Sequence, residues 1–551
     1  MRARSLCVAA LFLSVGSLAP LGAVGQPQKP DAASRPLVSA AVRHDTSPPL
    51  RDAAPKPVKP GNDREVPIRV PSRLAGKPKP GLVREDPLRQ REPGNGPPAP
   101  TSLIFEGQSD DDNAAVVGFR VVPPDTNGDV GKDHYVQFIN LILAIYDKDT
   151  GARIFGPVAG NSIWSGFGGV CETHNDGDPV VLYDHLADRW LVSQFAIAAD
   201  GHQCVAVSAT GDPTGAYHRY DFVVSPGAFN DYPKLGIWPD AYYLTANQYS
   251  SSFDGVIAVA FERDKMLLGQ PGRFVEFGPL PCAAECPFTL QPSNLSGPPP
   301  DDGTPNTFVM PFDDESFGTG ANPDGYRLWN FHVDWTDVSG STFTPLGQLD
   351  TAEFDSNLCQ FMVHCIPQPS PGEKVDSLSG WTMYRAQYRT FREHASLVVN
   401  HTVDVDGRNL AGIRWVELRN QGSGWVLYQT GTYAPDDGDH RWMGSIAMDK
   451  AGDIAIGFSV SSRSTFPSIR YVTRTETDPL GTLPGGEVEL FSGSGVQKSS
   501  FGRWGDYSSM SVDPVDGCTF WYTQEYYANT GTFDFKTRVG SFKLPDCSRR
   551  P

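Results

Sequence analysis

Arg503-Trp-Gly-Asp-Tyr-Ser-Ser-Met-Ser-Val-Asp-Pro-Val-Asp-Gly-Cys-Thr-Phe-Trp-Tyr-Thr-Gln-Glu-Tyr-Tyr527 decides the fold. The pattern predicts two antiparallel strands, Ser508 to Val512 and Thr519 to Glu525, around the turn Asp513-Pro-Val-Asp-Gly517. Pro sets φ, Asp bonds its own backbone, and Gly takes a positive φ. Weaker copies lie upstream. Asp178 to Trp190 runs into Leu191–Phe195, Asp231 to Tyr243 into Leu244–Gln248, and Trp442 to Asp453 into Ile454–Val460. Each copy is an acidic or aromatic lead, a short strand, an Asp/Pro/Gly turn and a second strand.

From residue 101 onward, aromatic and β-branched residues alternate with Gly/Asp/Pro turns, and amphipathic helices are scarce. That is an all-β signature. A body of this length is too long for one sandwich and suits a radial repeat of about seven units, each of roughly 64 residues. The units begin near Asp125, Asp178, Asp231, Asn306, Trp381, Arg441 and Arg503. The expected fold is therefore a seven-bladed β-propeller over 101–551. The last unit runs short of strands, so one from the N-terminal side, Ser102–Glu106 or Val116–Val122, is expected to complete it and remove an exposed edge.

Residues 1–25 read as a secretory signal, with Arg2 and Arg4, an apolar run from Leu6 to Leu18, and small residues before Gln26. Residues 26–100 hold 17 prolines and read as an extended, disordered linker. This segment is basic, with 14 Lys/Arg against 8 Asp/Glu, whereas 101–551 holds 30 basic and 56 acidic residues. An acidic body repels phosphate backbones, which argues against nucleic acid as a partner. No later stretch reaches the length of a membrane span. These features place the protein outside the cytoplasm, secreted or periplasmic. They leave its oligomeric state open.

Eight cysteines remain after Cys7, and an oxidising destination makes disulfides the default. Pairing by proximity gives Cys171–Cys204, Cys282–Cys286, Cys359–Cys365 and Cys518–Cys547, one of 105 combinations. No CxxC occurs, which argues against a zinc site.

The phrases Pro124-Asp-Thr-Asn-Gly-Asp-Val-Gly131, Asp231-Tyr-Pro-Lys-Leu-Gly-Ile-Trp-Pro-Asp240 and Trp504-Gly-Asp-Tyr-Ser-Ser-Met-Ser-Val-Asp-Pro514 resemble those of exported bacterial β-propeller proteins without an agreed activity. The resemblance covers nearly all of 101–547 and implies the fold rather than a reaction. Ser511 to Trp521 is loosely similar to the Asp-box of sialidase-type propellers, a structural turn that transfers no catalytic residue.

In a propeller, leads placed before the innermost strands converge on the central channel. This singles out Asp178, Asp231, Asp376 and Asp506, with Tyr232, His394, Arg441, Trp442, Trp504 and Tyr507 as companions for ligand binding. Glu393 belongs to the non-repeated triplet Arg392-Glu-His394 and is a candidate general acid or base. Converging acids can bind calcium, or a pair can act on a glycosidic bond. Equally, an Asp before a strand can simply bond backbone N–H groups. Asp125-x-Asn127-x-Asp129 carries alternating oxygen ligands, as calcium loops do, but lacks the distal Glu of an EF-hand. The other reading is an ordinary Asp/Asn/Gly turn. Asp110-Asp-Asp112 reads as a solvated loop. Two functional expectations follow: a funnel that binds an extracellular glycan or protein, or a carbohydrate-active hydrolase or lyase built on paired carboxylates.

Overall fold

The computed structural model describes residues 35–54, 56–74, 84–197, 201–545 and 547. The signal-like stretch 1–25 lies outside them. The chain is all-β and of propeller type. Seven strands, each opening an antiparallel sheet unit, set its frame: β1 Asn127–Val130, β2 Val180–Asp184, β3 Phe229–Ile237, β4 Gln291–Ser296, β5 Ala386–Thr390, β6 His440–Met448 and β7 Ser509–Val512. Each contacts the next in chain order, and β7 returns to β1, so the strands close a ring. Further strands extend outward from them by antiparallel pairing. β4 and β5 also pair with each other in parallel, Ser293 opposite Ala386, which merges their units into one nine-stranded sheet.

The stretch that opens the sequence analysis folds as its residues dictate. β7 pairs with Thr519–Tyr527, with Val512 opposite Phe520 and Ser509 opposite Thr523. Asp513 Oδ1 accepts from Val515 N at 2.9 Å, and Asp516 Oδ1 accepts from Cys518 N at 2.8 Å and Thr519 N at 2.9 Å. Gly517 takes φ +67°, where a Cβ would be strained. Met510, Phe520, Tyr522 and Phe542 then pack against Tyr471 and Leu490 of the preceding sheet. Fully burying each such ring contributes about 1.5–3 kcal/mol. The closing strand is Thr101–Ser109, which pairs with Phe535–Lys543. Val121–Val122 pairs instead with Arg64–Glu65.

Three differences from the sequence reading have physical causes. First, the proline-rich segment is not a free linker where it is described. Leu37–Ala40 adds an outer strand beside Arg273–Pro281, Arg43–Thr46 beside Tyr217–Val223, and Arg89–Gln90 beside Trp425–Tyr433. The three added strands are proline-free stretches between the prolines, and they cover edges that would otherwise stand open. Second, the unit expected to begin near Asn306 starts with β4; its Gln291-Pro-Ser-Asn opening is polar and lacks strand periodicity. Third, Asp110–Val116 is a helix whose Ser109 and Asp112 form a capping box, and Asp110 is buried.

All four disulfides pair as expected from proximity: Cys171–Cys204, Cys282–Cys286, Cys359–Cys365 and Cys518–Cys547. Among the described residues, no helix is long and apolar enough to cross a membrane.

Candidate functional site

The entries to the first strands share one backbone device. Asp125, Asp178, Thr289 and Asp506 stand just before β1, β2, β4 and β7, and all have φ between 44° and 61°. Tyr232 in β3 and Met443 in β6 have φ 54° and 55° where the pairing register slips, between Asp231 and Lys234 and between Trp442 and Ser445. The left-handed region disfavours most L-residues but is tolerated by Asp, whose short side chain bonds locally. The recurrence of Asp at these leads thus has a conformational cause before any chemical one.

Around these entries the ring is tied across its centre. Tyr507 donates its hydroxyl to Asp178 Oδ2 at 3.2 Å and to Pro233 O at 3.1 Å. The Tyr232 hydroxyl donates to Asp506 O at 3.1 Å, and Asp125 N donates to Gly505 O at 3.0 Å. Arg503, 1 % exposed, bonds the carboxylates of both Asp506 and Asp376. Asp376 also accepts from Trp504 N at 3.1 Å. Asp178 N donates to Asn140 Oδ1 at 3.1 Å. Lys234, also 1 % exposed, lies between two rings, its Nζ 3.0 Å from the Tyr232 centroid and 3.4 Å from that of Tyr507. This is a desolvated cation–π contact with two aromatic faces.

Carboxylates outnumber cations here, and burial acts on all of them. It pushes Asp178 up to about 6 and Asp376 up to about 7, in each case with Asp506 adding and a cation, Lys234 or Arg503, opposing. Asp125 and Asp231 are held well above the usual carboxylate range by burial and by the Asp178 charge. Burial holds Glu525 up as well; its Oε2 accepts from Gly505 N at 2.9 Å and its Oε1 has no partner. Burial drives Lys234 well below its ordinary value against the pull of Asp178. The centre can therefore hold protons near neutral pH.

Of the residues singled out in sequence, the structure brings together Asp125, Asp178, Asp231, Tyr232, Asp376, Asp506 and Tyr507. Trp504 and Trp442 are buried beside them with ring centroids 5.8 Å apart, and Trp504 Nε1 donates to Ser459 Oγ at 3.1 Å. Arg441 is buried with Asp437 and Glu487, at 2.7 and 2.9 Å. Glu393 and His394 are not at a lead. They form the turn after β5, where His394 stacks on Phe391 with ring centroids 4.9 Å apart, at the opposite end of the first strands. Asn127 and Asp129 lie in β1 rather than in a loop. Asn127 Oδ1 accepts from Val181 N at 3.0 Å, Asp129 Oδ2 from Tyr183 N at 3.0 Å, and Arg385 bonds the same oxygen at 3.1 Å. These side-chain oxygens of Asn127 and Asp129 are taken up by the neighbouring strand and by an arginine, whereas Asp125 stands before β1 with its Oδ1 unpartnered among the described residues.

Sequence reasoning missed Lys234, Arg503 as a partner, and Glu525. Arg503 carried a signal, since Arg503 and Asp506 are three apart within one short phrase. Lys234 carried none, because a lysine in a strand ordinarily reads as solvated.

No family model matches the chain, and no characterised protein matches it in sequence. Among solved structures, it is similar to an ulvan lyase described as a new family of polysaccharide lyase, at 11% identity and TM-score 0.37 over 84% of this chain and 100% of that one. It is similar to the extracellular domains 1–2 of Drosophila Semaphorin 1b at 8% identity and TM-score 0.37, over 82% and 89% of the two chains. A Trypanosoma rangeli sialidase matches at 9% identity and TM-score 0.30, over 66% and 54%. Likenesses this weak carry nothing about activity.

Proposed function

We propose that the chain is an exported seven-bladed propeller that binds an extracellular glycan or protein at the mouth where β1 to β7 begin. Counting one blade per first strand gives seven, with the nine-stranded sheet divided between β4 and β5. Export is supported by the signal-like 1–25 and by four disulfides, which belong to oxidising compartments. The observation that carries the binding reading is the internal pairing of the central acids. Arg503 holds Asp376 and Asp506, and Tyr507 holds Asp178, so these carboxylates act as a rigid floor rather than as an open pair across a cleft. The buried aromatics serve the same floor. Recognition then falls to the loops around the mouth.

A carbohydrate-active hydrolase or lyase is the second reading. It is favoured by Asp178 and Asp376, pushed up to about 6 and about 7, where acid–base catalysis operates. A polysaccharide array probed with the purified full chain, with and without chelator, separates the two. Saturable binding without soluble product, unchanged in Asp178→Asn, is the expected result. Product that disappears in Asp178→Asn would transfer the assignment to the enzyme reading, and chelator-sensitive binding would restore a role for calcium.

A further inference from the structure

At the far end of the ring, where the first strands finish, a separate cavity of about 70 Å³ opens among β1, β2, β4, β5 and β7. Its lining is polar and includes Arg389, Arg385, His185, Gln387 and Ser511. We infer that this cavity binds a small oxyanion, a carboxylate, sulfate or phosphate group, with Arg389 as its principal contact.

Arg389 and Arg474 stand apart from the protein's other buried arginines; Arg474 gives its Nε to Thr482 O at 3.1 Å and its Nη2 to Asp478 O at 2.8 Å, whereas Arg389 lines the cavity. Arg219, Arg263, Arg385, Arg414, Arg441 and Arg503 each meet a carboxylate within about 3.1 Å. Arg389 is 3 % exposed and meets none among the described residues. Its Nε donates to Met448 O at 3.1 Å and its Nη2 to Ser296 Oγ at 3.1 Å, both neutral acceptors. Asp449 acts on it electrostatically without touching it. A guanidinium stays protonated, so its burial beside neutral dipoles leaves a charge uncompensated. Burial pulls Arg389 down to about 10, still charged at any physiological pH. The remaining nitrogen, Nη1, sits beside Gly297, where a Cβ would come within 2.6 Å of it. Gly297 has φ +80°, and the absence of a side chain there keeps space at the guanidinium.

Independent of Arg389, the same cavity contains two unpartnered buried polar atoms. Among the described residues Arg385 Nε has no acceptor, although its Nη1 is held by Asp129 at 3.1 Å, and Ser511 Oγ has neither donor nor acceptor. Both side chains are at least nine-tenths buried. An oxyanion in the cavity would offer acceptors to the donors that line it. The charge balance agrees. Arg385 is neutralised by Asp129, Asp513 at the rim is paired with Lys148 at 3.1 Å, and His185 is kept neutral by burial, with its Nε2 2.7 Å from Gly297 O. Among the groups that line the cavity the charge of Arg389 is left over, with Asp449 outside the lining as its nearest electrostatic counterweight. The volume suits one small charged group rather than a sugar ring, so a larger molecule would engage through that group alone.

The test is titration calorimetry of the full chain with sulfate, phosphate and glucuronate at constant ionic strength, beside Arg389→Gln and Ser511→Asp. Saturable one-to-one binding of at least one probe is expected, weakened tenfold or more in Arg389→Gln. Ser511→Asp places a carboxylate in the cavity, so it should abolish binding while raising the thermal midpoint. It keeps the test decisive if Arg389→Gln does not fold. Preference for the inorganic ions would identify a free ion as the ligand, and preference for glucuronate a sugar acid. Absence of saturable binding in the folded wild type, or binding that survives both substitutions, overturns the inference. The site lies away from the mouth of the proposed function, so either can fail without the other.

Discussion

Arg503 bonds Asp376 and Asp506 at once, Nη1 donating to Asp506 Oδ1 at 2.8 Å, and this single guanidinium joins the long loop before β5 to the entry of β7. Breaking a buried ion pair from one side costs about 3–5 kcal/mol, because the partner charges are left unpaired. Arg503→Met should lower the unfolding free energy obtained from urea titration by that amount. Adding Asp376→Asn and Asp506→Asn to it should recover a large part. If the triple variant is no more stable than Arg503→Met, the carboxylates are not the source of the loss.

Glu525 should make stability fall as pH rises. In the unfolded chain a glutamate titrates near 4.3; folded, Glu525 keeps its proton to a higher pH because it is buried. Between those values the folded state binds more protons, so stability declines with rising pH. Glu525→Gln stays neutral throughout. Relative to wild type it should gain stability as pH rises above about 4.3, read as a flatter plot of denaturation midpoint against pH.

His440 acts in the opposite direction. Its Nδ1 accepts from Ala411 N at 3.2 Å, so the ring must be neutral at that atom, and burial pushes it down to about 4. Unfolded histidine titrates near 6.5. Stability from this group is present above 6.5 and is lost as pH falls toward 4. His440→Gln, which can accept the same bond, should remove about 1–2 kcal/mol of the loss seen at pH 5. An unchanged acid limb would assign that loss to other groups.

The strands before residue 54 should be needed for solubility. Asp45 receives two bonds from the buried Arg219, at 2.7 and 2.6 Å, and Leu37–Thr46 covers two sheet edges. Deleting residues 1–54 should expose both edges and leave Arg219 unpaired. Light scattering is expected to show association of the truncated chain where the longer one stays monodisperse. Equal behaviour of the two would show that the edges are protected by other means.

The repeat around Asp513–Gly517 was legible because its turn chemistry acts within five residues. The polar first strand Gln291–Ser296 was not, since a strand surrounded on all sides by protein needs no apolar alternation. The proline-rich segment misled for a related reason. Composition reports that it cannot sit inside a sheet; it does not report that the sheets leave outer edges at which extended backbone is useful. At the candidate site, the lead aspartates were found by their repetition, yet Arg392-Glu-His394 was placed at the wrong end because a hairpin turn and a lead look alike in sequence.

By itself, the sequence determined the all-β repeat, its turns, and the pairing of eight cysteines by nearness along the chain. These follow from interactions over a few to a few tens of residues. The tertiary structure alone decided that Tyr507 meets Asp178, 329 positions away, that Arg503 meets Asp376, 127 away, and that Arg389 meets no carboxylate among the described residues. Those outcomes depend on closing the ring, which brings the first strand of every unit to one axis. No local pattern specifies which side chains face one another there, or which charge is left without a partner.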